Sequence, residues 1–186
     1  MQALAKLRPA FDRHNGTVTA GNSSQITDGA AMILVMEAER AKEMGYKPIG
    51  KIKTFAFAGL DPKRMGLGPA YSTKLALDRA GMEMKDIDLV ELNEAFATQV
   101  IANLRIFESD ALSKQYLGLD KAMGAINPDI LNVNGGAIAL GHPVGSSASR
   151  LTLTLLKEMK RRNVETGLAT LCVGGGQGAA FILESM

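Results

Sequence analysis

Two side chains capable of acid–base chemistry lie in glycine-rich segments of this chain. His142, one of two histidines, is near the end of segment 132–143, and Cys172, the only cysteine, opens segment 172–178. Glycine permits backbone conformations and close approaches that a side chain would block. Imidazole and thiol groups are both suited to proton transfer. We therefore predict that the two turns form the floor of one active site.

Each of these residues has a simpler interpretation when it is considered alone. Cys172 would be an inert core residue at the end of a strand, and His142 could cap a turn. Asn93 would be a helix N-cap, and His14, in a polar loop, would be solvated. The glycines of 174–178 could indicate a dinucleotide loop, but the eight residues that follow predict a strand, so the required helix is missing.

The composition narrows the class of protein. The chain has 186 residues, of which 46% are hydrophobic and 22% are charged, so it can bury a substantial core in one domain, or in one domain and part of another. The net charge of +2 gives no reason to expect nucleic acid or a membrane surface as a partner. The single cysteine excludes an internal disulfide framework and fits a reducing compartment. No apolar run reaches the roughly 18 residues of a membrane span.

Apolar periodicity and turn residues predict alternating strands and helices. The predicted strands are 30–36, 49–58, 87–92, 130–133, 167–173 and 178–183. The predicted helices are 37–44, 69–80, 93–107 and 146–162. Segment 108–129 is polar and irregular, which indicates an insertion. The alternation implies α/β layers.

Four segments together resemble the C-terminal half of the thiolase family, the acyl-CoA C-acyltransferases. They are 19–24 followed by 28–31, then 93–96, 132–143 and 172–178. Their order and approximate spacing match those of the family, which makes the resemblance specific. It implies the C-terminal half of a thiolase-like layered α/β fold, with a mixed sheet and helices on both faces.

The resemblance also implies a division of the chain. We expect residues 1–28 to be the tail of the loop that contacts coenzyme A (CoA), and 29–50 to be the last strand and helix of a truncated N-terminal half. Residues 51–186 would form the C-terminal thiolase domain, with an insertion at about 108–129. The nucleophilic cysteine of a thiolase lies in the half that this sequence lacks.

Catalytic roles follow from the same resemblance. His142 would raise the thiolate fraction of the missing cysteine, and Cys172 would move a proton to or from the α-carbon of the acetyl thioester. One oxyanion hole would be formed by His142 and a water held by Asn93. The other would use the backbone N–H of Gly174, where the absence of a side chain lets the substrate approach.

The resemblance assigns substrate contacts as well. Ser24 would contact the pantetheine arm of CoA, and Phe11, Ala20 and Phe96 would line its tunnel. Free CoA and acyl-CoA are expected as substrates, with no permanently bound cofactor and no metal.

We therefore expect part of an acyltransferase that cleaves or forms 3-ketoacyl-CoA and that is inactive without the N-terminal thiolase half. One alternative is a non-catalytic CoA-binding or assembly module. Another is a hydrolase that uses Cys172, His142 and Asn93 as a triad. The related ketoacyl synthases usually carry a histidine in place of Cys172, which favours thiolase.

The expected location is the cytoplasm, or a mitochondrial or peroxisomal matrix. The predicted strand 30–36 would leave an apolar edge uncovered if the rest of its sheet were absent. We therefore expect a homo-oligomer, or a swap or rearrangement of residues 1–50.

Overall fold

The computed structural model describes residues 2–186 and is built around one four-stranded mixed sheet. The strands are β1 (Gly50–Gly59), β2 (Leu89–Leu92), β3 (Thr166–Val173) and β4 (Gln177–Ser185), in the order β1-β4-β3-β2. β4 pairs antiparallel with β1 and β3, whereas β2 and β3 are parallel. This confirms the predicted α/β class with a mixed sheet.

Within residues 2–186, six α-helices and four short 3₁₀ segments surround the sheet. The helices are α1 (Ala38–Glu43), α2 (Gly68–Ala80), α3 (Ala97–Glu108), α4 (Asp110–Leu117), α5 (Ala137–Leu140) and α6 (Ser147–Arg162). The 3₁₀ segments are Leu4–Lys6, Pro62–Leu67, Met84–Asp86 and Pro128–Ile130. Helices α2, α3 and α4 cover one face of the sheet, and α6 covers the other.

The alternation of side chains along the strands divides the core between these two faces. On β2, Val90 and Leu92 contribute to the cluster beneath α2 and α3, whereas Leu89 packs with Leu155 and Met159 of α6. Successive residues of β2 therefore point into different layers. This places Glu91 on the α6 side of the sheet.

Helix α6 closely follows the prediction for 146–162. Leu151, Leu155 and Met159 form a buried stripe at helical spacing. The helix ends where Asn163 adopts a left-handed conformation (φ +56°). Basic side chains occupy its last turn, where their positive charges interact favourably with the negative end of the helix dipole.

The prediction of a strand at 30–36 was wrong. Within residues 2–186, the segment between Ser24 and α1 pairs with no strand, and Met32 is 91% exposed. An apolar run forms a strand only where a neighbouring strand accepts its backbone hydrogen bonds. The four strands of the sheet pair with one another, and none of them pairs with residues 30–36. The helix predicted next, at 37–44, is present as α1.

Three other boundaries differ from the predictions. The helix expected from Asn93 begins at Ala97, so Asn93 is not its N-cap. Segment 108–129 is not wholly irregular, because it contains α4, which starts where Ser109 Oγ accepts from Leu112 N and ends before left-handed Gly118. The strand expected at 130–133 is reduced to one bridge between Leu131 and Val90.

None of the helices within residues 2–186 is long and apolar enough to cross a membrane.

Candidate active site

The candidate site lies where the parallel strands β2 and β3 end. Asn93 directly follows β2, and its backbone N–H donates to the Thr170 carbonyl of β3 at 3.0 Å. Cys172 is two residues further along the same strand, at the start of the β3–β4 hairpin. Carboxyl ends of parallel strands meet at one edge of a sheet, so the sequence brings Asn93 and Cys172 to the same edge.

The third predicted catalytic side chain reaches this edge from the segment between α5 and α6. Asn93 Nδ2 lies 3.3 Å from His142 Nε2, and His142 Nδ1 lies 2.6 Å from Ser147 Oγ. Ser147 Oγ also lies 3.2 Å from the Pro143 carbonyl, which accepts its single proton. We therefore assign Nδ1 as the donor to Ser147, which leaves the lone pair on Nε2 facing Asn93.

The environment of His142 favours its neutral form. Burial lowers the pKa of the imidazole, and the positive charge of Arg150 lowers it further. At neutral pH this histidine can accept a proton. The backbone N–H of His142 also donates to Thr27 Oγ1 at 3.3 Å. Hydrogen bonds therefore fix both the backbone and the ring of this residue.

Cys172 is kept protonated by its surroundings. Its residue exposure is 7%, and burial raises the pKa of the thiol. It opens a hairpin and does not sit at a helix N-terminus, where a thiolate would be stabilised. A thiol in this position is suited to donating a proton more than to attacking a carbonyl.

Asn93 carries an unsatisfied group. Its Oδ1 is buried and has no hydrogen-bond partner within residues 2–186. A buried amide oxygen without a partner costs stability, so such atoms in native proteins usually have a functional or solvent partner. Oδ1 belongs to the same amide group whose Nδ2 contacts His142. A hydrogen-bond donor from a water or a substrate would satisfy it at this position.

A hydrogen-bond network holds the glycine turn against β2. Asn132 Nδ2 donates to the Leu92 carbonyl (2.8 Å) and to Glu94 Oε1 (2.9 Å), and Asn132 Oδ1 accepts from Leu92 N. Glu94 Oε2 accepts from Ile138 N at 3.2 Å. These bonds compensate for the left-handed backbone of Asn132 (φ +46°).

Two glycines around this network occupy positions where a side chain would not fit. A Cβ at Gly136 would lie 1.9 Å from the Glu94 carboxyl carbon, and a Cβ at Gly141 would lie 2.4 Å from Thr27 Oγ1. By contrast, a Cβ at Gly174 would meet no atom within 4 Å among the described residues. Gly174 therefore borders open space, and its predicted contact with the substrate stays a prediction.

Two of the four residues predicted to contact CoA, Phe11 and Phe96, line one cavity, and a third, Ser24, lies beside Phe96. Ser24 N donates to the Ala95 carbonyl at 2.9 Å, and Ser23 forms a bridge with Phe96. A cavity of about 360 Å³ is lined by Phe96 and by Phe11, which is 81% exposed. Ala20 and Ser24 lie in the same loop, and neither is among the residues that line this cavity.

Several residues of this cavity had not been predicted. Lys63 and Arg64 from the 3₁₀ segment Pro62–Leu67 contribute positive charge to its wall. Gln99 also lines it and is only 7% exposed, yet neither its amide nitrogen nor its amide oxygen has a partner within residues 2–186. Gln99 lies outside the four motif segments, so the sequence analysis had no signal for it.

The structure thus brings Asn93 and His142 into contact and places Cys172 and Gly174 at the same sheet edge. The sequence interpretation missed the residues that hold them: Glu94, Asn132, Ser147, Thr27 and Arg150. Glu94 and Asn132 belong to the quoted motifs, but their partners are distant in sequence. Within residues 2–186, no group of three or more histidine, cysteine or carboxylate side chains is arranged to hold a metal ion.

Comparison with known proteins identifies relatives along the whole chain. The thiolase C-terminal domain model matches residues 46–185, and the thiolase N-terminal domain model matches residues 1–39. A 3-ketoacyl-CoA thiolase of Shewanella loihica is 50% identical over 185 residues, which is 99% of this chain and 42% of that protein. One from Colwellia psychrerythraea is 49% identical over 186 residues, all of this chain and 43% of that protein.

Solved structures give the same result. The crystal structure of the Bacillus anthracis acetyl-CoA acetyltransferase matches with a TM-score of 0.84 and 41% identity, over all of this chain and 42% of that one. Human mitochondrial 3-ketoacyl-CoA thiolase in complex with CoA matches with a TM-score of 0.80 and 39% identity, with the same coverage. The chain spans about two fifths of the length of the relatives it matches. The thiolase C-terminal domain model covers most of its residues, and its fold is that of the solved thiolases. This chain therefore belongs to the thiolase family.

Proposed function

We propose that this chain supplies the proton-transfer and oxyanion-binding half of a thiolase active site. The observation that carries the proposal is the contact between Asn93 and His142 at the sheet edge where β3 presents Cys172. In this proposal the nucleophilic cysteine comes from a part of the thiolase N-terminal domain other than the part that residues 1–39 match. The reaction is the cleavage or formation of a 3-ketoacyl-CoA.

The first step would be attack by that cysteine on the 3-keto carbonyl. His142 Nε2, with its lone pair available, takes the thiol proton, and the new S–C bond converts the carbonyl into an oxyanion. Collapse of the oxyanion breaks the bond between C2 and C3. The electron pair leaves as the enolate of acetyl-CoA, and the acyl group stays on the cysteine.

Cys172 would then protonate the enolate carbon. Because burial raises the pKa of this thiol, it is in the proton-donating form before cleavage. Condensation is the reverse, with the Cys172 thiolate removing the α-proton. The thiol of a second CoA would then give its proton to the Cys172 thiolate, and its sulfur would take the acyl group as the bond to the nucleophilic cysteine breaks. The cysteine thiolate recovers its proton from His142, which completes thiolysis.

Asn93 and Gly174 would stabilise the negative charge on oxygen. The buried Asn93 Oδ1 can accept from a water whose other proton points to the enolate oxygen. Gly174 would offer its backbone N–H to the tetrahedral oxyanion, and the open space where a side chain would stand would let the substrate approach.

CoA binding is the second part of the proposal. Phe11 and Phe96 supply apolar walls for the pantetheine arm, and Ser24 lies beside them next to Ala95. Lys63 and Arg64 bring two cations to the cavity wall, which suits the phosphates of CoA. A cavity that suits CoA in this way also agrees with the alternative in which the chain alone binds CoA and catalyses no reaction.

The test is a chimera that joins the first thiolase half of the Shewanella loihica relative to this chain. We expect the chimera to cleave acetoacetyl-CoA in a spectrophotometric thiolysis assay and the 186-residue chain alone to be inactive. His142→Asn and Cys172→Ser should each reduce kcat of the chimera at least about 100-fold. His14→Asn is the matched control, because His14 is exposed and lies outside the site.

The outcomes separate the alternatives. Thiolysis by the isolated chain would overturn the assignment of the nucleophile to another half. A folded, active chimera that tolerates both substitutions would overturn the roles of His142 and Cys172. Tight stoichiometric CoA binding by the isolated chain in calorimetry, with an inactive chimera, would replace the proposal by the binding-module alternative.

The hydrolase alternative is less well supported. A cysteine hydrolase needs a thiolate, and the raised pKa of Cys172 opposes it. Hydrolysis of a thioester by the isolated chain, lost in Cys172→Ser, would restore that alternative.

A further inference from the structure

The first residue of α6 contacts the ring of His142 and has no role in the chemistry above. Ser147 Oγ lies 2.6 Å from His142 Nδ1, whereas Asn93 faces the other ring nitrogen, Nε2. Ser147 is 0% exposed. A hydroxyl without access to solvent makes its hydrogen bonds within the protein, so the ring and the turn around it are its partners.

The segment 142–147 forms a closed turn that sets the distance between these two side chains. The Pro143 carbonyl accepts from the backbone N–H of Ser146 at 2.8 Å and from that of Ser147 at 3.1 Å. The same carbonyl accepts from Ser147 Oγ at 3.2 Å. Because Pro143 directly follows His142, the turn brings the hydroxyl back to the histidine. Its single proton is used by the carbonyl, and its lone pairs can accept from the ring.

The contact with Asn93 requires the same position of the ring proton. Asn93 Nδ2 is a donor and lies 3.3 Å from His142 Nε2, so this nitrogen must accept. A neutral imidazole with a lone pair on Nε2 carries its proton on Nδ1. Ser147 Oγ is the acceptor for that proton. Both nitrogens of the ring are therefore satisfied in this tautomer.

A competing tautomer differs by one rotation of the Asn93 amide. Asn93 Oδ1 is buried and has no partner within residues 2–186. Rotation of the amide by about 180° would exchange Oδ1 and Nδ2, and Oδ1 would then accept from a proton on Nε2. In that tautomer Nε2 has no lone pair and cannot take a proton. The acceptor beside Nδ1 therefore decides which form the ring adopts.

We propose that Ser147 is a positioning residue whose Oγ accepts the Nδ1 proton of His142 and thereby keeps the Nε2 lone pair directed toward Asn93. This inference rests on the proposed function, in which Nε2 takes the thiol proton, and extends it to the residue that selects the tautomer. Without this acceptor, a proton on Nδ1 would face a site with no hydrogen-bond partner, which costs free energy. The proton then moves to Nε2, where Asn93 Oδ1 accepts it.

The chain offers a direct test because it has only two histidines. Nitrogen-15 NMR of the 186-residue chain, labelled at histidine and kept at a pH where both imidazoles are neutral, reports which ring nitrogen carries the proton. We expect the His142 proton on Nδ1 in the parent chain and mainly on Nε2 in Ser147→Ala. Exposed His14 is the internal reference, and its ring shifts should be the same in both proteins.

The neighbouring serine provides a matched control. Within residues 2–186, the Ser146 hydroxyl donates to the Pro143 carbonyl at 3.3 Å and contacts no ring nitrogen. Ser146→Ala should therefore leave the His142 proton on Nδ1. Ser147→Cys nearly keeps the size of the side chain but offers only a weak acceptor. It should shift the ring toward the Nε2 form, even if Ser147→Ala folds poorly.

The inference would be overturned by folded Ser147→Ala or Ser147→Cys chains that keep the His142 proton on Nδ1 to the same extent as the parent. A change of tautomer in Ser146→Ala as large as that in Ser147→Ala would also overturn it. These spectra need no catalysis. An inactive chimera would thus count against the proposed function alone, and a tautomer that does not respond at position 147 would count against the role of Ser147 alone.

Discussion

Replacing Glu91 by glutamine should make the stability of this chain less sensitive to a rise in pH between 4.5 and about 7. Glu91 is an almost fully buried carboxyl on the α6 face of the sheet. Burial raises its pKa from the ordinary value of 4.5 to about 7, against the opposing effect of Arg150. Glutamine has nearly the same shape, but it does not titrate. The substitution therefore removes the proton-binding equilibrium and leaves the packing almost unchanged.

The sign of the effect follows from linkage. Between pH 4.5 and about 7 the folded chain holds a proton on Glu91 that the unfolded chain has released. Folding is favoured by this group below that interval, and the advantage is lost as the pH rises through it. The interval corresponds to about 3 kcal/mol of unfolding free energy. The parent should lose that amount relative to Glu91→Gln.

The measurement is urea unfolding, followed by circular dichroism, of both proteins at several values between about pH 4.5 and 8. The free-energy difference should grow in favour of Glu91→Gln by about 3 kcal/mol across the series. Glu108→Gln, with an exposed carboxyl, should give a flat difference. A difference between parent and Glu91→Gln that is constant with pH would refute the argument, because it would mean that Glu91 titrates equally in both states.

Three further predictions follow from the site and its surroundings. Cys172 should react with iodoacetamide at pH 7 at least about tenfold more slowly in the folded chain than in urea, because its thiol is buried and its pKa is raised; equal rates would contradict this. Gly136→Ala should destabilise the chain by about 2 kcal/mol or more in urea unfolding, because the new Cβ displaces the Glu94 carboxyl. Gly174→Ala, the matched substitution at an open position, should cost less than about 1 kcal/mol, and similar losses for both would be the wrong result. Val35→Lys adds charge to the exposed segment before α1 and should therefore reduce concentration-dependent association in analytical ultracentrifugation. Association that stays unchanged in Val35→Lys would contradict a role of this segment.

The sequence was sufficient where one local pattern determines the structure. Helix α6 has its apolar stripe, its basic last turn and a left-handed asparagine at its end, so its bounds were predicted within one residue. The hairpin of β3 and β4 was predicted from two apolar runs joined by three glycines. Here the local preference and the tertiary structure agree.

The sequence was insufficient where the structure depends on distant partners. Segment 30–36 is as apolar as a buried strand, but a strand also needs a neighbour, and pattern alone cannot supply one. Asn132 adopts a left-handed backbone because Glu94 and Leu92, about 40 residues earlier, bind its side chain. Such contacts leave no periodic signal.

Helix α4 was missed for a different reason. Its Ser109 cap and Gly118 stop are ordinary helix signals. The polar residues between them hid its two anchors to the core, Ser113 Oγ, which donates to the Ile106 carbonyl at 2.7 Å, and Leu117. A short helix with few apolar residues has a weak amphipathic pattern, so it is identified by its caps and not by its periodicity.

The presence of an acid at position 91 is itself evidence about function. Val90 and Leu92 on either side are apolar, and Leu89 on the same face packs against α6, so an apolar residue would suit position 91 by packing alone. An ionised carboxyl there costs about 3 kcal/mol above pH 7, which is a large fraction of the stability of an ordinary domain. Destabilising residues of this kind are found where chemistry requires them. Glu91 lies two residues before Asn93 on the same strand, so we attribute the acid to the neighbouring candidate site and not to the packing of the core.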